Sequence, residues 1–306
     1  MTKRILTVAA VLIAFCGFSQ KTVNYYLDKA AFYLTTTRTN DSGGKQIMTK
    51  EAFQQLDSAE LIAPNNMNIP LYKGLYGTYL NFNNEYYFNE LERAIELNSD
   101  NEHYRNLDKL IPFYEENVAQ LYKGHEPKYN NAIAYSLKLW WYGNDQNDLS
   151  KALEDCSNAI HCDTTSEFLY DWYGNYLMFA YEYKTAIKSL LTSISIDSTY
   201  ASPWLNLGNV FVNQTLNTTY KKYNIFGEQI DSFNPDYYTQ AITCYRKAIE
   251  LDSSHDTRGT AMYSIGFIWK KNNNLNKACE YWQKSAKLGY GKAERDCSLY
   301  CKGCEY

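Results

Sequence analysis

Three cysteines near the C-terminus, Cys297, Cys301 and Cys304, form a C-x3-C-x2-C pattern. That spacing lets three thiolates grip an iron–sulfur cluster. The motif belongs in a loop after the first strand of a barrel, whereas here it closes a chain with helical periodicity. No histidine lies nearby to complete a zinc tetrahedron. The four histidines, His103, His125, His161 and His255, are far apart in sequence, each at a loop or helix edge. H-E-x-x-H, G-x-S-x-G and phosphate-loop patterns are absent. Glu115 and Glu116 are adjacent, so on a helix they diverge and make a solvated face. The sequence therefore assigns no catalytic residue, no metal and no cofactor, and reads as a non-enzyme.

The elements that must position everything else announce themselves by a repeated stripe. Ala52, Leu56 and Ala59 stand at i, i+4 and i+7. So do Tyr87, Leu91 and Ala94; Ala152, Cys156 and Ala159; Ala186, Leu190 and Ser193; Ala241, Tyr245 and Ala248; and Ala278, Trp282 and Ser285. This spacing predicts one helix face. Small residues admit a neighbouring helix and the larger central one fills the gap. Five residues further on come turn and cap formers, at Pro64, Ser99, Thr164, Ser198 and Ser253. A second pattern precedes the stripe: Tyr170, Tyr173, Gly174 and Leu177 match Trp204, Leu207, Gly208 and Phe211, and then Met262, Ile265, Gly266 and Trp269. The glycine is expected to let the two helices of a hairpin touch backbone to backbone.

The beat is 34 residues, from Ala152 to Ala186 and from Tyr170 to Trp204. A two-helix unit of that length and pattern resembles the tetratricopeptide repeat. The resemblance is strongest over 133–290, partial over 48–100 and weakest over 101–132, where Pro112 interrupts and the alanine stripe is missing. It implies an all-α, right-handed α-solenoid of about seven antiparallel helix pairs. The organisation read from the sequence is a signal peptide at 1–19, degenerate repeats at 20–132, a regular array at 133–290 with an insert at 213–236, and a cysteine-bearing cap at 291–306. A polar stretch, "TTTRTNDSGGKQ", interrupts the first hairpin. The insert carries Tyr220, Tyr223, Ile225 and Phe226, too apolar for a plain linker, and is read as a packed flap. The closing "AKLGYGKA" is similar to Sel1-type repeats, and Lys292, Glu294, Arg295 and Asp296 supply the polar face a solenoid end needs.

In the tetratricopeptide family, positions 2, 5, 9 and 12 of each repeat line a concave groove. Carried over, these are Phe168, Asp171, Asn175 and Met178 in the unit starting at Glu167. In the next they are Ser202, Leu205, Asn209 and Val212, and then Thr260, Tyr263, Phe267 and Lys270. The unit before Glu167 offers Leu137 and Trp141. Asn175 and Asn209 stand out, because an amide both donates to and accepts from a peptide backbone. The lysines that clamp a C-terminal carboxylate in chaperone-binding members are absent, since Asp171 and Leu205 fill those slots.

Of eight cysteines, Cys16 leaves with the signal and seven remain, an odd number. Cys297 or Cys301 is expected to bridge to Cys279 on the preceding helix and pin the cap, with Cys304 also in reach. Cys156 and Cys244 are read as small apolar side chains in packing helices. Lys3 and Arg4, the apolar run Ile5 to Phe18, and Gly17 and Ser19 before Gln20 make a cleavable secretory signal. Phe15 stands where a lipobox before Cys16 needs a small residue. The "FSQ" context resembles exported proteins of the Bacteroidota. No later stretch could span a membrane.

Net charge is -4 with 21% charged residues, which argues against a nucleic-acid partner. Thirty tyrosines suit half-buried helix seams and grooves. The expected function is therefore a scaffold or adaptor that binds an extended peptide or protein segment in its groove, in the periplasm or outside the cell. Two rivals are kept: a glycan-binding module, which clustering of Trp141, Tyr263 and Phe267 would favour, and a spacer whose groove its own insert fills.

Overall fold

The computed structural model describes residues 23–33, 37–39, 45–47, 49–79, 85–98, 130–141, 148–217, 221–224, 226–230, 236–252 and 254–304. Residues 1–19 with Cys16, the stretch 101–129 with His103, His125 and the Glu115–Glu116 pair, and the side chain of Trp141 lie outside the described residues. The fold is all-α and of the solenoid class. The chain divides into two compact units, Met1–Thr164 and Thr165–Tyr306.

In the first unit, helix α1 covers 23–33. Then come α2 (Thr49–Ile62), α3 (Asn68–Tyr79), α4 (Glu85–Leu97), α5 (Asn130–Trp141) and α6 (Leu149–Cys162). Helices α3 and α4 pair, as do α5 and α6. The first helices of successive pairs, α3 and α5, also touch. Asn98 and Asn131, both buried, join α4 to α5: the Asn98 amide donates to Asn131 Oδ1 at 3.0 Å, and Asn131 donates back to the Asn98 carbonyl at 2.8 Å.

The second unit holds α7 (Glu167–Phe179), α8 (Tyr183–Ile196), α9 (Ser202–Leu216), α10 (Asp236–Leu251), α11 (His255–Lys271), α12 (Leu275–Ala286) and α13 (Gly291–Tyr300). The pairs are α7 with α8, α9 with α10, and α11 with α12, and α13 packs on α12. First helices stack on first helices, α7 on α9 and α9 on α11. Asn274 caps α12 by accepting from Lys277 N at 3.1 Å, and Ser254 caps α11 by accepting from Thr257 N.

The stripes form the cores. Leu56, Cys156, Leu190, Tyr245 and Trp282 are at most 1% exposed, and the small residues flanking them are fully buried. Tyr87 departs from its stripe and is half-buried. The glycines act differently from the expectation. A Cβ on Gly174 would lie 2.6 Å from Leu190 Cγ, and one on Gly266 would lie 2.5 Å from the Trp282 ring. The glycine thus makes room chiefly for the large central side chain of the opposing stripe, with a backbone carbonyl (Ala186 or Ala278) the next contact behind it.

Two short ladders qualify the purely helical expectation. Strands β1 (Thr37–Thr39) and β2 (Lys45–Ile47) pair antiparallel inside the polar stretch of the first hairpin. Strands β3 (Lys222–Tyr223) and β4 (Gln229–Ile230) do so inside the later insert. Helix α9 runs to Leu216, so the first residues assigned to that insert are helical.

Candidate peptide-binding face

Asn209, Tyr263 and Phe267 come together in the second unit. With Val212, Asn213, Tyr245 and Ser264 they line a cleft of about 140 Å3 between α9, α10 and α11. A ladder of side-chain bonds fixes its polar wall. Asn206 donates to Asp171 Oδ1 at 2.9 Å, and Asn209 reaches Asn206 Oδ1 at 3.5 Å. The Tyr245 hydroxyl donates to Asn209 Oδ1 at 2.8 Å. Asn213 donates to the Asn209 carbonyl at 3.0 Å. The first link spans one repeat, 35 residues from Asp171 to Asn206, whereas the link from Asn209 to Tyr245 crosses the α9–α10 pair, 36 residues apart because the insert lies between them. The Asn209 carboxamide is therefore held with its oxygen engaged and its NH2 only weakly occupied. Asn175, one repeat earlier on α7, is half-buried, and its side chain makes no hydrogen bond among the described residues.

Four of the groove positions carried over from the family are not surface: Leu137 on α5 and three on α7. Phe168 (1% exposed), Asp171 (0%) and Met178 (5%) are buried beneath the following repeat. Phe168 packs on Trp172 with ring centroids 4.8 Å apart. Met178 Sδ meets the Asn213 amide at 3.2 Å. Asp171 accepts from Asn206, and buried Tyr200 sits beside it, its hydroxyl held well above the ordinary phenol range by burial and then by that carboxylate. The physical reason is a tight stack: α9 lies close against α7, so positions 2, 5 and 12 of this unit enter the seam. Leu205 is half-buried on α9 and outside the cleft lining.

The cap claims two further positions. Tyr263 donates to Asp296 Oδ2 at 2.9 Å and packs against Trp282 and Tyr290 at 6.2 and 5.3 Å. Burial, reinforced by Asp296, pushes its hydroxyl up to about 12. Lys270 Nζ lies 3.4 Å from the centre of the Tyr300 ring. So Tyr263 offers the cleft an edge, and Lys270 is turned to the last helix. Asn213, Tyr245 and Ser264 were missed from the sequence. Asn213 had a readable signal, one helical turn after Asn209 on the same face.

The cap is closed by two bridges, Cys279–Cys301 and Cys297–Cys304, with Cα separations of 5.6 and 5.9 Å. The three cysteines of the iron–sulfur-like pattern are thereby all consumed. Burial pushes the Cys244 thiol up to about 12, so it is no nucleophile at neutral pH. His161 and His255 are exposed and are not among the residues that line the cleft. What the cleft can do is donate and accept hydrogen bonds and pack an apolar side chain.

The described part of the insert does not enter this cleft. Strand β3 packs against α8, the second helix of its pair. Tyr263 and Phe267 share the cleft, but Tyr263 is packed in by Trp282 and Tyr290, which leaves a sugar only Phe267 to stack on.

No protein-family model and no curated protein matches the chain. Solved structures do. The chain resembles Pseudomonas aeruginosa pilF at 11% identity, covering 92% of this chain and 98% of that one, with a TM-score of 0.57. It resembles PilW, described as a widely conserved type IV pilus biogenesis factor, at 13% identity over 90% and 97%, also with a TM-score of 0.57. YrrB, described as a TPR protein with an unusual peptide-binding site, aligns at 14% identity over 79% and 96% with a TM-score of 0.48. For pilF and PilW, at these identities, the likeness is one of fold, a solenoid of helix hairpins. Among the described residues no helix is long and apolar enough to cross a membrane.

Proposed function

We propose that this chain is a non-catalytic scaffold whose second unit holds an extended segment of a protein partner against the face of α7, α9 and α11. The cleft of Asn209, Asn213, Ser264 and Phe267 carries this reading. Tyr245 takes the Asn209 oxygen, which aims the amide NH2 as a donor for a peptide carbonyl. Asn175, one repeat away, offers a second amide at the spacing of the stack. Phe267 gives an apolar side chain of the partner a place to pack. The fold supports the reading because stacked helix pairs present extended surfaces.

The partner is met outside the cytoplasm, in the cell envelope. A basic, then apolar N-terminal segment supports export, and two cystine bridges suit an oxidising compartment. Capture from a native envelope extract compares the wild-type chain with Asn175→Ala/Asn209→Ala, after circular dichroism confirms equal folding. The double variant loses the partner; full retention sinks the groove.

A further inference from the structure

A larger cleft lies on the opposite kind of helix. Its volume is about 490 Å3, and it is bounded by α8 and the tip of the β3–β4 hairpin. That lies within the roughly 300–1,000 Å3 of ligand sites. Ile187, fully buried, and Leu191 make its floor. Lys184 and Lys188, one helical turn apart and both exposed, stand along it. No carboxylate lines it, and neither lysine has an ion-pair partner among the described residues.

The hairpin tip is built to keep one apolar side chain out. Phe226 is 81% exposed. Asn224 Oδ1 accepts from the amides of Phe226 at 2.9 Å and Glu228 at 3.0 Å. The Gly227 amide donates to the Asn224 carbonyl at 2.9 Å, with Gly227 at φ +73, where other residues are strained. Asn224 also holds the Glu228 carboxylate at 2.8 Å. At the hairpin root, buried Gln214 accepts from the Tyr223 amide. Gly227 lies over Lys184, close enough that a Cβ would be 4.0 Å from Lys184 Cγ. A firmly tied turn thus presents Phe226 beside two unpaired ammonium groups. Leaving a phenylalanine in water forgoes the favourable burial of its ring. The hydrogen bonds fix the backbone of the turn that carries Phe226.

We propose that this cleft is a second docking surface, which takes an acidic segment of a partner protein. Its carboxylates pair with Lys184 and Lys188, and an apolar side chain beside them packs on Phe226, Ile187 and Leu191. Charge complementarity selects this occupant. The two cations stand on a chain of net charge -4, too acidic overall to track nucleic acid. The surface is independent of the face of α7, α9 and α11.

The test is fluorescence anisotropy on the full mature chain with a labelled peptide in which glutamates flank a leucine–phenylalanine pair. Its counterpart with lysines for glutamates is the control. The acidic peptide binds, and added salt weakens it. Lys184→Glu/Lys188→Glu and Phe226→Ser each reduce affinity roughly tenfold, as expected for losing two rim ion pairs or one apolar anchor. Asn209→Ala leaves it unchanged. Equal binding of the two peptides, or full binding by the variants, overturns the proposal. So does self-association of the chain that the lysine reversal abolishes, which would give the cleft to a second copy.

Discussion

The two units solve the same packing problem with different polar chemistry. In the first, charges cross the seams. Lys73, 3% exposed, reaches Asp57 at 2.9 Å and Glu60 at 2.7 Å, and Arg93 also pairs with Glu60. Lys138 sits 3.3 Å from both Glu92 and Asp155. In the second, hydroxyl and indole donors do much of this job, and the carboxylates of Asp171 and Asp296 accept from the neutral Asn206 and Tyr263 and not from a cation. Ser193 donates to the Glu167 carbonyl at 2.7 Å, Ser285 to Gly259 at 2.6 Å and Ser189 to Tyr170 at 2.7 Å. Trp282 Nε1 reaches the Tyr263 carbonyl at 3.2 Å. Hydroxyl-to-carbonyl bonds ignore pH, whereas ion pairs of titratable groups do not. A seam sewn by short neutral donors leaves the amides of α9 and the lysines of α8 for other work. The candidate surfaces accordingly lie in the second unit.

That contrast can be strained in order of size. Trp282→Ala removes the largest fully buried side chain and the donor to Tyr263, and should cost about 4 kcal/mol by urea unfolding. Leu56→Ala in the first unit should cost about 3 kcal/mol. Equal and small losses would mean that the stripes are not the cores. Next, Cys279→Ala/Cys301→Ala opens a link across 22 residues and should lower stability by about 3 kcal/mol. Reducing agent should cost the wild-type chain this loss plus the share of the second bridge, and cost the variant the share of the second bridge alone. Gly174→Ala drives a methyl into Leu190 and should lose about 2 kcal/mol in thermal melts. No loss would show that the seam has slack.

The smallest effect separates the units by pH. Burial, only partly opposed by Lys138, lifts the Asp155 carboxyl to about 6, above its ordinary 3.8. Burial also raises Glu90. The native state then holds the proton more tightly than the unfolded chain. Stability is therefore gained as pH falls through about 6, and the gain is complete below about 4. From pH 7 to pH 5, Asp155 should add about 1 kcal/mol, and Asp155→Asn should abolish that increment. An unchanged pH response in the variant would remove Asp155 from the account.

Much of the fold was legible because a helix seam repeats one local solution. The i, i+4, i+7 stripes name side chains that are indeed buried, from Leu56 to Trp282. The glycine before each stripe was legible as a close approach, but not what it approaches, because sequence spacing cannot show Leu190 or Trp282 turning into it. The cleft was half legible. Asn209, Tyr263 and Phe267 were found by position in the repeat, whereas Tyr245 comes from a second helix and meets Asn209 only across the pair. Phe168, Asp171 and Met178 failed because the depth of each position depends on how closely the next repeat stacks. The bridge from Cys279 to Cys301 was expected in kind, since Cys279 lies on α12 and Cys301 directly follows the neighbouring α13. The β3–β4 hairpin had only its aromatic content as a signal, which could not tell a flap over the groove from one on α8.

Site-specific photo-crosslinking in the native cell tests recognition most directly. Benzoylphenylalanine replaces Phe267 on α11 in one strain and Tyr281 on α12 in another, and adducts are identified by mass spectrometry. The account predicts one partner segment crosslinked through position 267, lost when Asn209→Ala is added, and absent at 281. The same adduct at both positions, or its persistence without Asn209, would contradict it.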